Sequence, residues 1–304
     1  MVTKSLCIAA MMVSMAGTAH TAALRTFVSG FGNDGNTSTN CSHSQPCRTF
    51  AMAVTVTSAG GEIEALDPAG YGPITITGPL TLVGLPGAAI NTPLGGNGIT
   101  INAGANDVVH VQGLLIEGGG VGSNGIVFNS GSVLTVQDCV IRSMTGQGIN
   151  FIPTTGTSSM AISHTYVGNN GGYGILVKPS GSTSATAVFD HVQAQYNGPN
   201  AYGIALDGSL TTGSVNGTAT NTISSNNGGG FLLRGQNADN SLMVLQSVAS
   251  YNHTGVQGDA LIISQTTITN NALSCVGLVE TYLDNTITHN ELDFCSLASV
   301  IGKE

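Results

Sequence analysis

The chain has 304 residues, of which only 8% are charged and 43 are glycine, and its formal net charge is −9. Lys and Arg number only 7 and form no basic run, which excludes nucleic acid as an expected partner. The hydrophobic content of 41% argues against a disordered chain. An acidic polysaccharide would be repelled at long range unless a local site overrides the net charge.

Residues 1–23 have the pattern of a secretory signal peptide. Lys4 supplies a positive start, an apolar run from Leu6 to Met15 follows, and small residues lead to expected cleavage sites after Ala19 or Ala23. A buried helix is the alternative interpretation. The apolar run is too short to span a membrane, and no later segment qualifies. The sequence therefore predicts a secreted, periplasmic or cell-surface protein whose single domain covers residues 24–304.

Residues 24–61 are expected to form an N-terminal strand, a cysteine loop and a capping helix. Cys41 and Cys47 are six residues apart, which in a secreted chain predicts a local disulfide. Metal binding by these cysteines with His43 is the alternative, but it lacks a nearby fourth ligand. Phe50, at helical spacing from the apolar residues after it, predicts a short helix over the open end of the domain.

The rest of the chain repeats one sequence motif. It consists of an apolar run, an Asn three residues after an aliphatic or small residue that we call the anchor, and Gly-Ile at the start of a second apolar run. The anchor residues of this motif recur every 19 to 29 residues. The anchors are Ile116, Ile141, Val167, Ala194, Ile223, Ala249, Ile268 and Ile287. The Asn positions are Asn170, Asn197, Asn226, Asn252, Asn271 and Asn290.

A period of this length without helical spacing is typical of a solenoid, because one repeat cannot bury its apolar face alone. The short Val, Ile, Leu and Thr runs between Gly and Asn indicate strands and turns. We therefore predict an all-β, single-domain parallel β-helix of roughly ten coils.

The segment NCSHSQPCRTFAMAV…AGGEIEALDPAGYGPITIT resembles the N-terminus of a family of secreted bacterial proteins with a right-handed parallel β-helix of the pectate-lyase-like fold. The resemblance covers about residues 40–77, and the repeat covers most of the remainder. It implies the fold, its handedness and export. Members of this family mostly lack an assigned activity, so the resemblance implies no mechanism.

Two further cysteine predictions follow from the repeat. Cys275 and Cys295 lie four and five residues after their Asn, on adjacent coils, which predicts a second disulfide. Cys139 lies in an anchor strand and is expected to be a buried thiol that behaves as a small apolar residue.

The column of Asn residues has two interpretations. Coils stacked about 4.8 Å apart allow each side-chain amide to donate to one neighbour and accept from the other, which predicts an internal structural ladder. A ligand groove is the alternative.

Three polar residues that precede their anchors by three positions, Asp138, His164 and His191, are expected to be neighbours on one edge. A His beside a carboxylate can transfer a proton, and two His with an Asp can bind a metal. A solvated turn is the alternative, and we expect neither a metal nor a cofactor.

A second group is expected on the strand opened by Gly-Ile, where Asp207 falls between Lys178 and Arg234 of the neighbouring coils. Tyr173 and Tyr202 precede that glycine by one residue on successive coils. Tyrosine rings beside charged groups suit a sugar, because ring faces pack on its C–H groups while charges bond hydroxyls or a carboxylate. A surface ion pair with stacked tyrosines is the alternative.

The pattern of acidic residues favours a non-enzymatic role. Lyases and hydrolases of this fold need clustered carboxylates, whereas Asp and Glu are scattered singly here, and Glu117 is expected only to pair with Arg142 on the next coil. The sequence therefore predicts a protein that binds a glycan or another cell-envelope surface. A polysaccharide lyase or glycoside hydrolase is the alternative.

Overall fold

A computed structural model describes residues 21–235, 237–293 and 295, and the backbone of 297–300. Residues 1–20 of the expected signal peptide lie outside the described residues. Within the described part of the chain, no helix is long and apolar enough to cross a membrane.

Within these described residues, thirty strands form three parallel sheets, which we name sheets A, B and C. Each sheet holds one strand from successive coils. Sheet A has 12 strands, in the order Ala23–Val28, Thr57–Ala65, Leu80–Val83, Val108–Gln112, Val133–Gln137, Thr157–Ser163, Ser184–Asp190, Val215–Thr220, Ser241–Leu245, Leu261–Ser264, Val279–Thr281 and Leu297–Val300. Sheet B has 9 strands, which are Ala89–Asn91, Leu115–Glu117, Val140–Arg142, Tyr166–Gly168, Gln193–Gln195, Ile223–Ser225, Val248–Ser250, Thr267–Thr269 and Thr286–Thr288. Sheet C has 9 strands, which are Ile74–Ile76, Asn97–Asn102, Asn124–Ser130, Ile149–Phe151, Ile175–Val177, Tyr202–Asp207, Gly229–Arg234, Thr254–Gln257 and Leu273–Val276.

This arrangement confirms the all-β parallel solenoid. The chain passes from sheet A to B to C and then rises to the next coil, so each strand pairs with its equivalent one repeat away. The expected count of roughly ten coils is not confirmed, since sheets B and C contain nine strands each within the described residues.

The core is a continuous column inside the coils. Alternate residues of each strand point inward, and the Ile175 and Val177 positions of sheet C are fully buried. Phe128 and Phe151 stack across adjacent coils with ring centroids 4.3 Å apart. Stacking of the coils therefore buries the apolar face that a single repeat would leave exposed.

The Gly-Ile motif opens sheet C in successive coils, as predicted, with Ile149 paired to Ile175 and Ile175 to Ile204. The glycine is required by close approach. A Cβ on Gly148 would lie 2.3 Å from Val167 Cγ1 and 2.7 Å from the carbonyl oxygen of Gly174.

The predicted capping helix is present but short. It spans Phe50–Ala53, a 3-10 turn follows at Val54–Val56, and another 3-10 helix lies at Asp34–Thr39. Phe50 is fully buried against Tyr71. Val54, Thr55 and Val56 are β-branched and lower the helix propensity, so the α-helix stops at Ala53. After the 3-10 turn, the strand Thr57–Ala65 begins before the two glycines expected to end the helix.

Both predicted disulfides are present, Cys41–Cys47 and Cys275–Cys295, each with Cα atoms 4.9 Å apart. The alternative of a metal held by Cys41 and Cys47 is therefore set aside. Cys139 is a buried thiol whose Sγ donates to the Gln137 carbonyl at 3.2 Å. Burial raises the pKa of the Cys139 thiol to about 11.

The Asn ladder is internal, as predicted, with one correction. Side-chain amides donate from one coil to the next over distances of 2.9 to 3.2 Å. The members are Asn170, Asn197, Asn227, Asn252, Asn271 and Asn290. Asn227 replaces the predicted Asn226, which lies outside the ladder in a left-handed conformation with φ 57°.

The error arose because the anchor of that coil is Ser224 and not Ile223. Ala194 pairs with Ser224, which is fully buried, whereas Ile223 is only partly buried. Ser224 Oγ donates to the Gly230 carbonyl at 2.8 Å and accepts from Asn227 Nδ2 at 3.3 Å. These bonds satisfy the buried hydroxyl, so a polar residue occupies an apolar position.

Candidate functional site

A buried carboxylate lies between two cations on the outer side of sheet C. Strand register places Asp207 opposite Arg234, one coil apart. Lys178 Nζ, from the preceding coil, is 3.1 Å from Asp207 Oδ2. Arg234 donates from Nε to Asp207 Oδ1 at 3.3 Å and from its Nη2 to Oδ2. The structure thus brings the three predicted charges together in the predicted order.

Asp207 is only 1% exposed, yet it is held ionised. Burial opposes ionisation, but hydrogen bonds from Arg234, Ser209 and Lys178 outweigh it and hold the pKa of Asp207 well below its usual range. The same contact raises the pKa of Arg234. Two cations share one carboxylate, so this cluster carries one net positive charge on an acidic protein.

The two predicted tyrosines lie beside this cluster and cover an outward-facing apolar group formed by Leu176, Ala205 and Leu232. The Tyr202 ring extends over Gly229, its partner on the next coil, where an added Cβ would lie 2.1 Å from the ring. Sequence alone suggested stacked rings. The structure instead uses both rings to shield apolar side chains from water.

The Tyr202 hydroxyl donates to Gln257 Oε1, two coils away. Burial raises the pKa of Tyr202. This hydrogen bond spans two coils and fixes the orientation of the Tyr202 side chain. The sequence analysis did not predict Gln257, because its position near Tyr202 depends on the register of three strands. That register pairs Gln257 with Leu232 of the preceding coil.

A groove of about 700 Å³ adjoins Arg234. Its lining includes Leu232, Arg234, Asn240, Gln257 and Asp259. Apolar, amide and charged groups therefore meet in one depression, which is the usual composition of a ligand site.

Asn240 is the unusual member of this lining, because it is 4% exposed and its Nδ2 has no hydrogen-bond partner. Its Oδ1 accepts from the Val215 backbone at 2.8 Å, which fixes the orientation of the amide. A buried donor without an acceptor is costly, by roughly 1–3 kcal/mol, and this nitrogen is itself shielded from solvent although its residue lines the groove. The sequence analysis did not identify Asn240, because this residue does not occupy one of the recurring positions of the repeat.

The second predicted group, Asp138, His164 and His191, lies together at the corner between sheets A and B. All three have left-handed backbones, with φ of 53°, 48° and 53°. They line a shallow groove of about 520 Å³, and the two imidazole rings stack with centroids 4.8 Å apart. Their catalytic role stays a prediction.

The carboxylate closest to His191 is Asp190, which the sequence analysis missed. His191 Nδ1 lies 2.9 Å from Asp190 Oδ1, and this hydrogen bond lowers the pKa of Asp190. Asp138 accepts instead from its neighbour Gln137 at 3.1 Å. Adjacency in the sequence was the available signal for the Asp190–His191 pair.

Two other expectations concern charged groups. Arg142 Nε lies 2.5 Å from Glu117 Oε2, so the predicted ion pair between these residues is confirmed. Across the residues with described side chains, no group of three or more His, Cys, Asp or Glu is placed to hold a metal ion.

Comparison with solved structures identifies the architecture. The chain is similar to the pectate lyase Pel9A with a TM-score of 0.61 and 16% identity, over 84% of this chain and 74% of that one. It is also similar to the A-module of the Azotobacter vinelandii mannuronan C-5 epimerase AlgE4, with a TM-score of 0.52 and 17% identity, over 82% and 72% of the two chains. No family model and no curated protein matches the sequence. The protein is therefore a parallel β-helix of the pectate-lyase-like fold.

Proposed function

We propose that this chain is an exported, non-catalytic β-helix protein that binds a carboxylate-bearing glycan at the surface formed by Tyr173, Lys178, Tyr202, Asp207 and Arg234. The observation that carries this proposal is the buried Asp207 held between two cations at the edge of a groove. In a chain with only 7 Lys and Arg, two of them converge on this point.

The charges support an anionic ligand. Arg234 uses Nε and Nη2 on Asp207, and its side chain is 52% exposed, so it can also meet a ligand carboxylate. The partly exposed rings of Tyr173 and Tyr202 offer apolar contact for the C–H face of a sugar.

A polysaccharide-modifying enzyme is the second candidate. The observation that favours it is the similarity in fold to proteins named as a pectate lyase and a mannuronan epimerase. Against it, both cations of the cluster are engaged with Asp207, and the pKa of Arg234 is raised, which makes this residue a poor base.

The proposal is tested by titrating the chain from residue 24 with oligogalacturonate, alginate oligosaccharides and neutral cello-oligosaccharides in a calorimeter, with and without calcium. Acidic oligosaccharides should bind, and Tyr202→Ala should weaken binding by about 1 kcal/mol or more. Asp207→Asn should strengthen binding of acidic oligosaccharides, because the cations lose their internal partner, and this gain should fade at high salt.

Arg234→Gln should abolish most of the binding, and Arg142→Gln is the matched control. Arg142 is also a half-exposed, ion-paired arginine, but it lies on sheet B. Equal losses in the two variants would contradict the site. Unsaturated products or new reducing ends during the titration would contradict the non-catalytic role and establish the second candidate.

We also propose that the segment within residues 1–23 directs export and is removed from the mature chain. The two disulfides support an oxidising compartment, where such bonds persist. Mass spectrometry of the protein recovered from the periplasm or medium of an expressing bacterium should show a chain that begins after Ala19 or Ala23. An intact Met1 in the exported fraction would contradict this proposal.

A further inference from the structure

One residue per coil has a left-handed backbone at the corner between sheets B and C, directly before the ladder Asn. These φ values lie between 55° and 58°. The corner residues, which we name the corner stripe, are Asn169, Tyr196, Asn226, Tyr251, Asn270 and His289. Successive members are about 4.8 Å apart, which is the spacing of parallel strands.

The two tyrosines of the corner stripe are not explained by the fold. Asn tolerates a left-handed backbone better than other side chains except Gly, and Asn occupies three of the six positions. Tyr196 and Tyr251 are 55% and 62% exposed, so burial recovers little of the conformational cost. The two rings are therefore largely exposed at this corner and are available to pack against a ligand.

Their spacing and surroundings define the ligand. Tyr196 and Tyr251 are two coils apart with Asn226 between them, so their backbone positions are about 9.6 Å apart along the solenoid axis. This is about the length of two sugar rings joined by a β-1,4 linkage. Asn226 places an amide, which bonds hydroxyl groups in either direction, midway between the rings.

Two adjoining grooves of about 660 and 430 Å³ run along this stripe, and both include Asn226, Tyr251 and His253 in their lining. Among the described residues that line them, none is Lys or Arg, and Glu291 is the acidic one. An anionic polymer would therefore find no positive charge here, whereas a neutral one meets amides, imidazoles and aromatic faces.

We propose that the corner stripe binds a neutral, linear, β-1,4-linked glycan lying parallel to the solenoid axis, with alternate sugar rings stacked on Tyr196 and Tyr251. Glucose and N-acetylglucosamine polymers share this chemistry. The site is distinct from the surface around Arg234, and it does not depend on the function proposed for that surface.

The test compares the chain from residue 24 with its Tyr196→Asn, Tyr251→Asn and double variants. The probes are cellohexaose, chitohexaose and a galacturonate hexamer, titrated by calorimetry beside thermal unfolding. Each Tyr→Asn change should weaken binding of a neutral hexamer about fivefold or more. Each should leave the unfolding midpoint unchanged or raised, because Asn fits the left-handed corner better than Tyr.

Leu283→Asn is the matched control, because Leu283 also has a left-handed backbone, with φ 62°, and is 67% exposed, but lies on the corner between sheets A and B. It should leave neutral-glycan binding unchanged. The proposal is overturned if neither neutral hexamer binds at millimolar concentration, or if Leu283→Asn weakens binding as much as the tyrosine variants. It is also overturned if the tyrosine variants weaken binding of the galacturonate hexamer as much as binding of the neutral hexamers. A fall in the unfolding midpoint would show that the tyrosines serve the fold and would also overturn it.

Discussion

Arg234 donates from two guanidinium nitrogens to the two carboxylate oxygens of Asp207, one coil away along the solenoid. This pair closes a column in which Lys178 approaches the same carboxylate from the other side. Because stacked coils keep equivalent residues in register, a charge placed at one repeat position meets the charges one repeat before and after it.

The first prediction concerns the pH dependence of stability. Asp207→Asn should reduce the free energy of unfolding at pH 7 by about 1–3 kcal/mol, because charge-assisted hydrogen bonds are lost. The folded-state pKa of Asp207 is lowered, so its contribution is complete above the unfolded-state value of about 4. As the pH falls below about 4, the wild-type protein should lose this advantage. Urea unfolding of both proteins at pH 7 and pH 3 measures the change, and a difference that grows at pH 3 would contradict the assigned sign.

The second prediction separates the two neighbouring asparagines. Asn227→Ala should destabilise the solenoid by about 2–3 kcal/mol, because it leaves the Asn197 amide and backbone N–H without their acceptor. Asn226→Gly is the control, because glycine keeps the left-handed corner and the side chain is outside the ladder. It should change stability by less than about 0.5 kcal/mol. Equal losses of stability for the two variants in urea unfolding would contradict the assignment of Asn227, and not Asn226, to the ladder.

The third prediction concerns close packing of glycine. Gly148→Ala should destabilise by about 1–3 kcal/mol, since the added methyl meets Val167 and the carbonyl of Gly174. Gly78→Ala is the control, because no atom beyond its two neighbours in the chain lies within 4 Å of its added methyl. It should be neutral or slightly stabilising. Thermal unfolding of both variants checks the difference, and a neutral Gly148→Ala would contradict the described approach of adjacent coils.

The fourth prediction concerns thiol reactivity. Cys139 is 1% exposed and its thiol pKa is about 11, so the reactive thiolate is both scarce and inaccessible at neutral pH. Iodoacetamide should leave Cys139 unmodified in the native protein and alkylate it after denaturation. Peptide mapping without reductant measures this and locates both disulfides. Rapid native alkylation of Cys139 would contradict its burial.

Much of this architecture could be predicted from the sequence, because the repeat itself specifies which residues become neighbours. Alternating apolar residues define the inward side of each strand, and the repeat length sets which strand comes next in the stack. That reasoning placed Cys275 beside Cys295 and Asp207 between Lys178 and Arg234 without any coordinates.

Tertiary structure decided the features that depend on packing between side chains. Ile223 and Ser224 both suit an anchor by sequence, and two consecutive asparagines follow, so only the hydrogen bonds of Ser224 identify Asn227 as the ladder residue. The role of Tyr202 was equally hidden, because its partner Gln257 lies 55 residues away and two coils along. A repeat determines register, whereas the direction and partners of a long or polar side chain depend on the space left by its neighbours, which exists only once the coils are stacked.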